Sequence, residues 1–399
     1  MSRLEAQLAV DLGDFHLDLD LRCDRGVTAV LGPNGSGKTT ALKAVAGLHT
    51  LTSGQVRVDG QTWADHGARL HLPPEARSVG MLLADPLLFP HLSLLDNVAY
   101  GPRSRGMPRR AARERAAAEL GRVGLAELAD RRPAQVSQGQ AQRAALARAL
   151  ATDPAVLLLD EPLSALDPQT RSATRAELSH RLREFDGVTV LVTHDALDAL
   201  TLGDRLVFVE EGREVQSGTP AEVISRPRSP YVAGVVGLNL LRGTLVHETP
   251  VHETLVHETL VHERCDTSVA ATTDVSHRSG TGLASEGQAP ANIIDLGDGA
   301  HLVLAEVPED VRHGEAVWAT VAPEAVALFT RRPQTSARNV WPLTVAAVTV
   351  TGPRARIHLT GAVHLVAEVT LGAVAELELI AGREVWASVK ATEVTAYPA

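Results

Sequence analysis

The sequence predicts an α/β domain over its first two-thirds, followed by an all-β domain built from two similar units. Three observations predict this. Continuous apolar runs of strand type alternate with alanine- and leucine-rich stretches of helical period, and the first such pair encloses a glycine-rich octet. Helical patterning stops after Pro230, where short β-type runs punctuated by Gly and Pro take over. Within that later region Gly314 to Val321 (GEAVWATV) matches Gly382 to Val389 (GREVWASV), and Asn239 to Thr244 matches Asn339 to Thr344 more weakly.

At 399 residues the chain is long enough for two or three domains. With 44% hydrophobic and 22% charged residues it reads as globular. No apolar run approaches the ~20 residues that span a bilayer, and the N-terminus lacks a basic-then-apolar signal segment. A role at a membrane therefore needs another chain to cross it. Cys23 and Cys265 form neither a disulfide framework nor a metal cluster, so a reducing cytoplasm is the expected setting. The net charge of −10 argues against nucleic acid as a partner. The arginine-rich stretch Arg103 to Arg132 reads as a solvated amphipathic helix.

The octet Gly32-Pro33-Asn34-Gly35-Ser36-Gly37-Lys38-Thr39 fits the phosphate-loop pattern G-x-x-x-x-G-K-[ST]. Val27 to Leu31 before it reads as a buried strand, and Ala41 to Ala46 after it as a helix. Glycines let backbone N–H groups converge on phosphate oxygens, and the helix adds its positive end. Lys38 would reach the β- and γ-phosphates, Thr39 would hold Mg²⁺, and Thr40 completes the ATP-binding set. Ala155 to Leu159 is a second buried strand, ending in Asp160 and Glu161. Asp160 is expected at the sheet edge as a Mg²⁺ ligand, and Glu161 as the base that activates water.

Val136 to Arg143 (VSQGQAQR) leads into an alanine-rich helix with Leu146 and Leu150 on one face, and Ser137 is a good N-cap. The octet resembles the signature motif of ATP-binding-cassette proteins, L-S-G-G-Q, with Val136 for Leu and Gln138 for the first Gly. Ser164-Ala165-Leu166-Asp167 resembles that family's D-loop, and His194 after Val192-Thr193 its switch histidine, following a helix at Thr174 to Glu184. The resemblance covers most of residues 1–235. It implies a P-loop NTPase cassette with an inserted helical subdomain at about 85–150, working as a homodimer. Each ATP would lie between one copy's phosphate loop and the other's Ser137, Gln138, Gly139 and Gln140, with Ser164 and Asp167 at the interface and His194 reading the γ-phosphate. Transmembrane permease subunits, and indirectly a solute-binding protein, are the implied further partners.

One family element is missing. Ala84 stands where members carry a glutamine that touches Mg²⁺ and the attacking water; Asp85 or a water is the candidate substitute. Phe15 is read either as the adenine platform or as core, since it opens the alternating run to Asp20. Leu87 to Leu95 is read either as a permease contact or as core.

The β units are expected at 238–330 and 335–399, the first enlarged by an insertion at 244–290. That insertion begins with Val-His-Glu pentapeptides from Thr244 to Glu263. Their histidines, His247, His252, His257 and His262, recur every five positions, which aligns them on neither a helix nor a strand, so a tolerated loop is favoured over a metal site. The second unit resembles the molybdate-binding β-barrel module (Mop or TOBE type) appended to molybdate transport ATPases. Ser336, Arg338, Ser388, Lys390 and Thr392 would supply hydroxyls and cations for a tetrahedral oxyanion such as molybdate; ordinary surface charge on a regulatory barrel is the other reading. The expected function is ATP hydrolysis at the cytoplasmic face of the membrane, coupled to import of molybdate. Import of sulfate, iron, polyamine or sugar, or a molybdate sensor with a vestigial ATPase, are the alternatives.

Overall fold

Alternating burial along both strands shapes the N-terminal hairpin, β1 (Arg3–Leu12) and β2 (Phe15–Asp24), which pair antiparallel from Arg3↔Asp24 to Leu12↔Phe15. The computed structural model describes residues 3–248 and 291–399, apart from Ala165 and Asp167. The chain divides into two units, Met1–Leu238 and Asn239–Ala399.

In the first unit β3 (Gly26–Leu31) feeds the phosphate loop and α1 (Lys38–Ala46). Strands β4 (Ser53–Val58), β5 (Gln61–Asp65) and β6 (Leu70–His71) extend the antiparallel flank beside β1. Then come β7 (Val79–Leu82), the helices α2 (Leu94–Ser104), α3 (Arg109–Arg122) and α4 (Gln138–Leu150), and β8 (Val156–Asp160). The unit is completed by α5 (Pro168–Glu184), β9 (Val188–Val192), α6 (Ala196–Leu202), β10 (Arg205–Glu210), β11 (Arg213–Gly218), α7 (Pro220–Ser225) and α8 (Pro230–Val236). One sheet of order β6-β5-β4-β1-β2-β11-β10-β3-β9-β8-β7 results. Pairing is parallel along β10-β3-β9-β8-β7, and β8 and β9 are buried at every position, which is why they read as unbroken apolar runs. Helix α1 covers one face, packed on Leu158 and Val190, while Leu146 and Leu150 of α4 and Leu178 and Leu182 of α5 cover the other, against Leu157, Leu159 and Leu191.

Arg103 to Arg132 is not one solvated helix. Gly106, at φ 89°, and Pro108 end α2 and start α3, because proline offers no N–H to continue a helical ladder. Glu119 of α3 is buried and held by Arg122 and by Arg181 of α5, the latter at 2.8 Å.

The second unit contains β12 (Asn239–Glu248), β13 (Ala291–Gly297), β14 (Ala300–Leu304), β15 (Ala316–Val321) and β16 (Ala327–Phe329). Strands β17 (Asn339–Thr351), β18 (Arg354–Gly361) and β19 (Leu365–Thr370), helix α9 (Leu371–Glu376), and strands β20 (Glu384–Val389) and β21 (Val394–Pro398) follow. They form two five-stranded sheets, β14-β13-β12-β15-β21 and β16-β20-β17-β18-β19, around one apolar core. The repeat is structural: Asn239 pairs Val321 and Thr244 pairs Ala316, as Asn339 pairs Val389 and Thr344 pairs Glu384. The units also exchange strands, since β16 leaves the first half to pair β20, and β21 leaves the second to pair β15. Each repeat asparagine then clamps the opposite half. Asn239 Nδ2 donates to the Val366 carbonyl at 2.9 Å while its Oδ1 accepts from Val366 N at 2.6 Å; Asn339 does the same with Val303, at 3.0 and 2.6 Å.

Thr244 to Glu248, expected to begin the insertion, continue β12 in register with β13. The later pentapeptides with His252, His257 and His262, and Cys265, lie outside the described residues. No described helix is long and apolar enough to cross a membrane.

Candidate functional site

The phosphate loop closes at the C-terminal end of β3, and its glycines have separate reasons. A Cβ on Gly32 would lie 2.0 Å from the Val209 carbonyl oxygen, so no larger residue fits there. Gly35 and Gly37 adopt φ of 82° and 98°, the latter leading into α1. Lys38 Nζ donates to the carbonyls of Gly32 and Pro33, both at 2.8 Å, so the loop itself sets the ammonium's position. Burial lowers the Lys38 pKa, opposed by the charges of Glu161 and Asp160.

Parallel pairing of β8 with β9 carries Asp160 to the same edge. Its Oδ2 accepts from Thr39 Oγ1 at 2.9 Å. Burial raises the Asp160 pKa; the Thr39 hydrogen bond works the other way, and the Glu161 charge adds to the rise. These two oxygen donors, one anionic, fit Mg²⁺, a hard cation bound through one or two carboxylates while it keeps several waters. Glu161 lies one residue beyond, at φ 49°, a left-handed conformation that costs a non-glycine residue about 1 kcal/mol or more. Its Oε1 is 3.0 Å from His194 Nδ1, and its N–H donates to the Val192 carbonyl at 2.9 Å. Leu12, Phe15, Asn34, Gly35, Gly37, Lys38, Thr39, Thr40, Glu161 and Val192 together line an open cleft of about 470 Å³. Phe15 lines this cleft and also packs on the sheet core.

Ser137 caps α4: its Oγ accepts from Gln140 N at 3.3 Å, and Gln140 Oε1 accepts from Ser137 N at 2.9 Å. Gln138 is exposed and Gly139 buried against Leu166, so no signature residue reaches this copy's own cleft lining. Ser164 Oγ donates to the Glu161 carbonyl at 2.9 Å, whereas Asp167 lies outside the described residues. Ala84 is exposed, and Oδ1 of the neighbouring Asp85 accepts from Leu87 N at 3.1 Å. The stretch after it is divided: Leu87 is 58% exposed, Phe89 packs its ring at a tilt against Tyr100 with centroids 4.7 Å apart, and Leu94 is fully buried.

In the second unit Ser388 is buried within β20, opposite Val340 and Ala327. Ser336, Arg338, Lys390 and Thr392 are exposed, and Arg338 and Lys390 flank the Asn339–Val389 pair. Among the described residues no hydrogen bond joins these five, and no group of three or more metal-binding side chains occurs.

Sequence reasoning missed Arg171 and Arg148. Arg148 of α4 donates to the carbonyls of Pro86 and Leu87, both at 2.8 Å, and so ties the loop after Ala84 to the helix that carries the signature. Neither arginine stands in a local pattern; each looks like ordinary surface charge until the backbone it grips is brought to it.

The ABC transporter family pattern matches residues 16–164, and the TOBE domain pattern matches residues 335–396. The molybdenum import ATP-binding protein ModC of Mycobacterium tuberculosis is 38% identical over 408 aligned residues, covering all of this chain and 98% of that protein. The spermidine/putrescine import ATP-binding protein PotA of Pseudomonas fluorescens is 43% identical, over 56% of this chain and 60% of its own. The Fe(3+) ions import ATP-binding protein FbpC of Rhizobium etli is 44% identical, over 55% of this chain and 61% of its own. With full-length likeness and the cleft just described, this chain belongs to the ABC transporter family, as one of its ATPases.

Proposed function

We propose that this chain powers molybdate import by hydrolysing ATP at the cytoplasmic face of the membrane. The observation that carries the solute is the extent of likeness: the relative named for molybdenum import matches both units from end to end, whereas those named for polyamine and iron import match little beyond the cassette. The chain acts as a homodimer bound peripherally to permease subunits, which receive solute from a solute-binding protein. Each copy's Ser137, Gln138, Gly139 and Gln140 complete the other's cleft, with Ser164 and Asp167 between them. That division of labour accounts for a signature turn that exposes Ser137 and Gln138 and is absent from the lining of its own cleft.

Within the cleft the backbone N–H groups of residues 35–40 and the Lys38 ammonium hold the phosphates. Thr39 and Asp160 hold Mg²⁺, which when bound neutralises charge on the phosphate oxygens. Glu161 takes the proton from the attacking water, and His194, hydrogen-bonded to Glu161, orients the carboxylate and faces the γ-phosphate. Ser336, Arg338, Ser388, Lys390 and Thr392 are the candidate regulatory oxyanion set, with molybdate as ligand.

Glu161→Gln keeps the shape and removes the base. It should lower hydrolysis by about 10² to 10⁴-fold while leaving ATP binding in place. Molybdate uptake into vesicles containing the chain and its permease should require ATP and be lost with the same variant. Uptake of iron or a polyamine in preference to molybdate would overturn the substrate, and full hydrolysis by Glu161→Gln would overturn the site.

A further inference from the structure

The geometry points to Arg171 as a positioning residue for hydrolysis: its guanidinium bridges the turn after Glu161 to the segment bearing His194, and thereby sets the register of that pair. This rests on the roles given to Glu161 and His194 above.

The two arms leave the sheet side by side. Strands β8 and β9 pair in parallel up to Asp160↔Val192, and the Glu161 N–H takes the next carbonyl, that of Val192. Beyond this point the ladder stops, yet the side chains that must meet project from the arms. Arg171, in the first turn of α5, spans the gap with three different nitrogens. Nε donates to the Leu163 carbonyl at 3.1 Å, Nη2 to the Ser164 carbonyl at 3.1 Å, and Nη1 to Asp195 Oδ2 at 3.0 Å.

Each end of this bridge is itself fixed. On one side Ser164 donates to the Glu161 carbonyl through both N, at 3.2 Å, and Oγ, at 2.9 Å, closing the turn. On the other, Asp195 directly follows His194. Its N–H donates to Thr193 Oγ1 at 3.0 Å, and its Oδ1 caps α6 by accepting from Asp198 N at 3.0 Å. Arg175, one helical turn along α5, grips Asp198 in the same way, which keeps α5 and α6 in register.

The need for a bridge comes from Glu161. Its left-handed backbone is unfavourable for a non-glycine residue and persists only where its surroundings hold it. Arg171 holds the carbonyls two and three residues further on. Side chains of Arg171 and Asp195 are 23% and 25% exposed, so the ion pair is partly shielded from water and the charge-assisted bond is correspondingly firm. Lysine cannot substitute: a single ammonium has no planar fork with which to span three acceptors on two segments.

A misplacement on the order of 1 Å in a reacting constellation can cost about 10²-fold in rate. We expect Arg171→Lys and Asp195→Asn each to lower kcat for Mg-ATP hydrolysis by the full-length chain about tenfold, with KM for ATP changed less than about twofold. Asp195→Asn can retain the capping oxygen and turns an amide toward Arg171, so it breaks the bridge without removing the cap. Because both substitutions cut one link, the double variant should be no slower than the slower single one. Unchanged kcat in Asp195→Asn, kcat and KM moving together, or losses that multiply in the double variant would each overturn the bridge. Should Arg171→Lys not fold, Asp195→Asn decides the matter by the same readout. A Glu161→Gln control separates the two ideas: hydrolysis surviving there overturns the base, whatever Arg171 does.

Discussion

Asn339→Ala tests whether the second unit is held together by its exchanged halves. Asn339 is 1% exposed, and its amide makes two bonds to Val303, accepting at 2.6 Å and donating at 3.0 Å. Alanine removes both and leaves the N–H and C=O of a half-buried residue without their partner. At about 1 kcal/mol net for each bond, plus about 1 kcal/mol for backbone groups incompletely rescued by water, the loss is about 3 kcal/mol. For a unit of this size that is roughly 6 to 12 °C in its melting temperature. The assay is calorimetry on the full-length chain, following the second unit's transition, with hydrogen exchange at the Val303 amide as the local readout. Asn339→Asp should cost at least as much, because it turns a buried acceptor toward the Val303 carbonyl. Asn239→Ala should match Asn339→Ala, with protection lost at Val366. A change below about 0.5 kcal/mol in either alanine variant, the usual range for surface substitutions, would refute the clamp.

Two further outcomes follow from buried titratable groups. Asp160 has a folded pKa raised by burial above the ordinary 3.8, so its favourable contribution to stability is present below that value and lost as pH rises through the folded pKa. Asp160→Asn should therefore raise the melting temperature at neutral pH while lowering Mg-ATP hydrolysis at least about tenfold; a lower melting temperature would show that the charge is well paired. Cys23 is fully buried and burial pushes its thiol up to about 12, so in a Cys265→Ser background it should resist alkylation until the chain unfolds, as peptide mass spectrometry would reveal.

What could be read in advance depended on how local the cause was. Strand β8 and the Gly32 to Thr39 loop are recognisable because an all-buried strand needs an unbroken apolar run, and a phosphate cradle needs glycines at set positions. Arg103 to Arg132 misled because arginine spacing says nothing of the Gly106 and Pro108 break or of a buried partner such as Glu119.

The sequence by itself determined that the chain has a phosphate loop, a carboxylate pair at a strand end, a signature turn and a duplicated β unit, because each is written in consecutive residues with their own chemistry. Only the tertiary structure decided that Glu161 meets His194, that Arg171 spans their two arms, and that each repeat asparagine grips the opposite half. Those pairings join residues far apart along the chain, and the distance between them exists only once the sheet is paired and its core closed.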